Sequence, residues 1–90
     1  MIEAQIEIIN KLGLHARAAA KFIACTGHFG STCRVGKDPK SLVDGKSIMA
    51  VMMLAAAKGT VLHVRIDGKD EAEAWEALKT LINNRFDEGE

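Results

Sequence analysis

Tyrosine is absent from this chain, and proline (Pro39) and tryptophan (Trp75) occur once each beside three phenylalanines. Net charge is missing too, since 12 basic residues balance 12 acidic ones. Scarce aromatics and zero net charge together oppose a nucleic-acid binder, which needs a basic footprint. No apolar run is long enough to span a bilayer; the longest, Ile48 to Ala57, falls far short. Met1 to Gln5 already alternates polar and apolar residues, which does not read as a secretory leader. Cysteine is limited to Cys25 and Cys33, at a C-x7-C spacing that matches no zinc pattern. Both read as small apolar fillers kept reduced in a cytoplasmic protein, with no metal site and no cofactor expected.

What is present is a globular composition. Apolar residues make up 48% and charged residues 27% of 90 positions, which suits a single domain over 1–90 with one thin core. Ile2, Ala4, Ile6 and Ile8 alternate with polar residues, predicting a half-buried strand. Ala16 to Thr26 predicts a helix with Ala19, Phe22, Ile23 and Thr26 inward, stopped by Gly27. Thr32 to Lys37 predicts a strand with Cys33 and Val35 inward, and Asp38-Pro39 a turn. Ser41 to Val43 predicts a weak strand followed by an Asp44-Gly45 turn. Ser47 is a good N-cap for a helix to about Leu54, with Lys58-Gly59 closing the segment. Leu62, Val64 and Ile66 mark a further strand. Asp70 predicts the cap of a last helix, with Ala72, Trp75, Leu78 and Ile82 as its buried stripe and Leu81 beside them. The acidic tail from Phe86 to Glu90 predicts fraying. The order β-α-β-β-α-β-α with alternating strands implies an α+β fold, an antiparallel sheet with one face covered by helices.

Chemistry concentrates at Gly13-Leu14-His15-Ala16-Arg17, the junction between strand and helix. The first helical turn carries amides with no intrahelical partner, here those of Ala16, Arg17 and Ala18, and the helix dipole adds positive charge. Such a terminus suits phosphate. His15 as N-cap would face that site, Arg17 could reach the same anion, and Gly13 permits the sharp backbone entry. The positive field disfavours the imidazolium form, leaving a neutral nucleophile for attack on phosphorus. No nucleotide loop, acidic metal cluster or general base accompanies it, so phosphate must come from another protein. On the residues alone, a plain surface or capping histidine competes with this reading.

A second segment runs from Gly45 to Leu54. With Ser47 as cap, Val51, Leu54 and Ala55 share an inward face, and Met53 is expected to fill the core with them. Ile48, Met49 and Met52 cannot all be buried as well, leaving an apolar patch with flexible thioethers that adapts to several partners.

These two segments resemble the HPr family, the histidine phosphocarrier of the bacterial phosphoenolpyruvate-dependent phosphotransferase system (PTS). Residues 13–17 with Ala19, Ala20 and Phe22 resemble its active-site signature, and Gly45-Lys46-Ser47-Ile48-Met49 its second signature around a regulatory serine. The resemblance spans nearly the whole chain. It implies an HPr-like open-faced β-sandwich, a four-stranded antiparallel sheet with three helices on one face. It further implies that enzyme I, charged by phosphoenolpyruvate, phosphorylates Nδ1 of His15, that Arg17 steadies the phosphate, and that IIA-type proteins accept it. Ser47 would be the target of HPr kinase/phosphorylase. Ile48, Met49 and Met52, with Ala16 and Ala20, would dock partners, and the carrier, itself no enzyme, would act as a monomer. Two departures stand out. Ala18 replaces the usual proline, whose fixed φ suits an early helical position, and the ending Asn83 to Glu88 resembles the nitrogen-related branch (NPr).

A regulatory binding module centred on Ser47 and the methionines is the competing reading. Among the remaining polar residues, His28 reads as a surface loop residue and His63 as a solvated cross-strand partner.

Overall fold

The computed structural model describes residues 1–89. Strand β1 (Ile2–Glu7) leads to helix α1 (Ala16–Gly27), then β2 (Thr32–Gly36), β3 (Val43–Asp44), α2 (Ile48–Met53), β4 (Val61–Asp67) and α3 (Glu71–Asn83). One turn of 3-10 hydrogen bonding, Arg85–Asp87, follows. The sheet order is β1-β4-β2-β3, and every pairing is antiparallel. The chain is therefore α+β, as its alternating strands implied, with three helices beside a four-stranded antiparallel sheet.

Strand alternation sets the two faces. Ile6, Leu62, Val64, Ile66, Cys33 and Val35 point inward and are buried with Ile8 just beyond β1. They meet Ala18, Ala19 and Phe22 of α1, Val51 of α2, and Ala74, Leu78 and Ile82 of α3. On the outer face Glu3 pairs in register with Arg65, and Gln5 with His63. An opposite-charge pair at directly facing positions favours this register.

Several elements differ from their sequence patterns. The weak strand Ser41 to Val43 is instead Val43–Asp44. The turn after Pro39 runs on, with Asp38 accepting from Lys40 N–H at 2.9 Å and from Ser41 N–H at 2.9 Å. Helix α1 includes Gly27, and His28 is its C-cap. Ala72 faces solvent and Ala74 takes its place, because Ala74, Leu78 and Ile82 at four-residue spacing form one stripe. Trp75 sits half-buried at its edge with Lys79 Nζ 6.0 Å from the ring centre. Helix α2 ends at Met53, well before Lys58-Gly59. Ala55 is left-handed at φ 51, so it turns outward while Ala56 turns in.

The start of α3 departs from the expected cap. Asp70 occupies the N-cap position but makes no side-chain cap bond. Its carboxylate instead accepts from Gly30 N–H at 2.9 Å, Ser31 N–H at 3.0 Å and the Ser31 hydroxyl. Those bonds, the Ser31 hydroxyl first, hold the Asp70 carboxyl below its ordinary range. Asp70 thus ties the entry of β2 to the start of α3.

Candidate functional site

The loop from Asn10 to His15 is fixed from two sides. Gly13 is left-handed at φ +68, and a Cβ there would lie 2.5 Å from the Ala56 carbonyl oxygen. Leu14 N–H donates to that same oxygen at 2.8 Å. The segment after α2 therefore forms the wall against which the histidine loop packs, and glycine is required at 13.

His15 is the N-cap of α1, with extended backbone (φ −78, ψ 179) and no side-chain cap bond. The first helical bond runs from Ala19 N–H to the His15 carbonyl at 2.8 Å. The amides of Ala16, Arg17 and Ala18 therefore lack an intrahelical acceptor and keep the positive end of the dipole open. Helix α1 begins at Ala16 without the proline whose place Ala18 takes. Ala18 is itself fully buried, so its amide, not its side chain, is what it can offer. Ala16, Arg17 and Ala20 are exposed.

Arg17 lines a shallow cleft of about 260 Å³ with Lys11, Leu12, Lys21, Asp87 and Glu88. Three of those side chains are cationic, in a chain without net charge. Lys21 lies four residues after Arg17, on the same face of the helix. That spacing could have been read from the sequence, whereas Lys11 and Leu12 carried no signal beyond proximity.

The tail overturns its expectation. Phe86 is fully buried, and Lys21 Nζ donates to its carbonyl at 2.7 Å. Arg85, Phe86 and Asp87 are all left-handed, at φ 55, 53 and 62. Such backbone costs on the order of 1 kcal/mol or more per residue and needs an anchor. Phe86 supplies one. The turn delivers Glu88 to the site, where its Oε2 meets His15 Nε2 and its Oε1 accepts from Asn10 Nδ2 at 3.0 Å. Burial works against the Glu88 carboxylate, but the bonds from Asn10 and His15 outweigh it and hold the group below the ordinary glutamate value. The segment whose composition resembled the nitrogen-related branch thus builds the histidine's surroundings.

Ser47 is the N-cap of α2, its hydroxyl accepting from Ala50 N–H at 3.3 Å. Beyond it, Ile48, Met49 and Met52 are exposed, as the patch argument required. Met53 is the correction. It is 79% exposed, more than Met49 at 67%. Helix α2 has six residues, too few to bury two faces, and Val51 alone turns fully inward. Leu12, also exposed, extends the apolar surface to the lip of the cleft.

The cysteines are free, and burial pushes the Cys33 thiol up to about 12 and raises that of Cys25. Neither is a reactive thiolate at neutral pH. His28 is exposed, and its ring packs edge-on against Phe29 at 5.3 Å. Among the described residues no group of three or more His, Cys, Asp or Glu could hold a metal ion. No helix among them is long and apolar enough to cross a membrane.

Four antiparallel strands under three helices, with a histidine at the open start of the first helix, make the open-faced β-sandwich of the HPr type. The comparisons agree. A family model for PTS-HPr, described as "PTS HPr component phosphorylation site", matches residues 2–84. "Phosphocarrier protein HPr" of Pseudomonas aeruginosa is 66% identical over 86 residues, covering 96% of each chain. The protein of that name from Neisseria meningitidis serogroup A is 59% identical over 90 residues, covering 100% of each. Among solved structures, HPr-C-His from Thermoanaerobacter tengcongensis superposes with a TM-score of 0.91 at 43% identity, over 98% of both chains. The chain belongs to the HPr family of PTS phosphocarriers.

Proposed function

We propose that this chain carries a phosphoryl group on His15 between proteins of the phosphotransferase system, accepting it from enzyme I and passing it to IIA-type acceptors. The observation that carries the reading is the start of α1, where His15 stands beside uncapped amides and Arg17. Phosphoryl transfer asks for positioning and charge neutralisation more than for covalent chemistry. His15 supplies a ring nitrogen lone pair. The amides of Ala16, Arg17 and Ala18 and the Arg17 guanidinium supply donors for the phosphoryl oxygens. The chain brings no nucleotide-binding loop, so it works as a carrier within a relay and not as an enzyme that turns over by itself.

Ala16, Ala20, Ile48, Met49 and Met52 form the docking surface in this reading, joined by Met53 and Leu12, which the structure leaves exposed. Thioethers adapt to partners of different shape, as a relay requires. The carrier acts in the cytoplasm as a monomer. Incubation with enzyme I and phosphoenolpyruvate is expected to load one acid-labile phosphoryl group. His15→Ala is expected to abolish loading, and loading that persists in that variant would sink the assignment.

Ser47 supports a second, regulatory role, as a partly exposed serine at a helix start. HPr kinase/phosphorylase acting there would trade the Ala50 cap bond for a phosphate at the positive helix end. The added charge beside Ile48 and Met49 would weaken apolar docking. Mass spectrometry after incubation with that kinase and ATP should place phosphate on Ser47; an unmodified serine would remove this role.

A further inference from the structure

A histidine nucleophile has two ring nitrogens, and which one attacks depends on what holds the other. Here the holder comes from the far end of the chain. Glu88 Oε2 meets His15 Nε2, and Glu88 Oε1 accepts from Asn10 Nδ2 at 3.0 Å. Asn10 is fully buried, and the same Nδ2 donates to the Gly13 carbonyl at 2.8 Å. Only this amide orientation gives both oxygens a donor. Its own carbonyl oxygen is buried with no partner among the described residues, a cost that a small apolar residue at 10 would avoid. What the amide gains is a double hold, on the loop that carries His15 and on the carboxylate that meets its ring.

We propose that Asn10, acting through Glu88, is a positioning residue for the transfer reaction, fixing the proton of His15 on Nε2 and leaving the lone pair on Nδ1. This rests on the reading of His15 as the phosphoryl carrier. Once Nε2–H donates to an ionised carboxylate, Nδ1 is the free nucleophile and the ring cannot rotate. As the Nδ1 lone pair forms the N–P bond, the donor keeps the electron pair of the bond that breaks. The ring then gains positive charge with its proton still on Nε2, and Glu88 faces that charge as it develops. A carboxylate behind a histidine plays the corresponding part in hydrolase triads. The cations of the cleft lie with Glu88 around the same loop. The left-handed turn and the burial of Phe86 keep the carboxylate in reach.

The test combines ring ¹⁵N NMR of His15 with the rate of phosphoryl uptake from enzyme I and phosphoenolpyruvate, in the full chain and in Asn10→Ala, Glu88→Ala and Glu88→Gln. Thermal unfolding checks that each variant folds, and the two tail variants keep the test open if Asn10→Ala does not. The wild type is expected to show protonated Nε2 and bare Nδ1. Asn10→Ala and Glu88→Ala should shift both signals toward tautomer averaging and slow uptake about tenfold, a usual effect of losing a carboxylate behind a ligating histidine. Glu88→Gln keeps an acceptor without the charge, so it should preserve the tautomer and recover part of the rate. Unchanged signals and rates in both alanine variants would overturn the proposal. Faster uptake in both would also overturn it, showing that the carboxylate guards the ring instead. Loading that survives His15→Ala would defeat the carrier reading itself, a separate outcome.

Discussion

Helices α1 and α2 begin in opposite ways. The N-cap of α2 is a serine that satisfies its own helix, with Ser47 Oγ accepting from Ala50 N–H. The N-cap of α1 is a histidine that caps nothing, so its first-turn amides stay available beside Arg17. A hydroxyl cap stabilises a helix by using up an anion site. An imidazole at the cap forgoes that stabilisation and keeps the site open for a visiting phosphate. The two starts lie close in space, since α1 packs on α2 and the Ala56 carbonyl after α2 receives Leu14 N–H. One start is proposed to carry phosphate in transit, the other to regulate.

Breaking the open start should have the largest effect. Arg17→Ala removes the guanidinium from the cleft and should slow phosphoryl uptake about 100-fold, the usual loss for one charge-stabilising donor. Stopped-flow or quench-flow uptake from enzyme I measures it, and the fold should be unaffected because Arg17 is exposed. Gly13→Ala attacks the wall behind the histidine. A Cβ 2.5 Å from a backbone oxygen at φ +68 should cost about 2 kcal/mol or more in denaturant unfolding. Closing the comparison from the other side, Ser47→Ala should cost about 1 kcal/mol of stability while leaving uptake at His15 unchanged.

The smallest effect is electrostatic. Glu71 is held below its ordinary value, first by its bond to the Met1 ammonium and then by Gly68 N–H, and the ammonium is raised by the same partner. A lowered carboxyl stabilises the fold above its unfolded-state value, and this is lost as pH falls below about 4. A raised ammonium stabilises below about pH 8, and this is lost as pH climbs through its folded value. Glu71→Gln should therefore flatten the pH–stability curve slightly at both ends, read from thermal midpoints. Glu88 and Asp70, also held low, should leave an acid-side slope in that variant.

The open start of α1 was legible because everything that makes it is local: Gly13, His15, Arg17 and a run of helix formers lie within a few residues. The strands were legible from alternation, and Ser47 from its place before an apolar run. Met53 was misread because periodicity places a residue on a face without saying how much helix there is to bury it; α2 stops after six residues. Asp70 looked like a cap but bonds Gly30 and Ser31, which only the fold brings near. Glu88 was the largest omission. Its composition reads as solvent-loving tail, and its partners Asn10 and His15 lie at the other end of the chain. Only Phe86, a lone aromatic in that polar stretch, hinted that the tail is anchored.

The central claim is that the uncapped histidine, and not the capping serine, takes the phosphate of the relay. Phosphorus NMR and peptide mapping after incubation with enzyme I and phosphoenolpyruvate test it directly. The account predicts one acid-labile, base-stable phosphoramidate on His15 Nδ1, with Ser47 unmodified. An acid-stable phosphate on Ser47, or a loaded chain with His15 free, would contradict it.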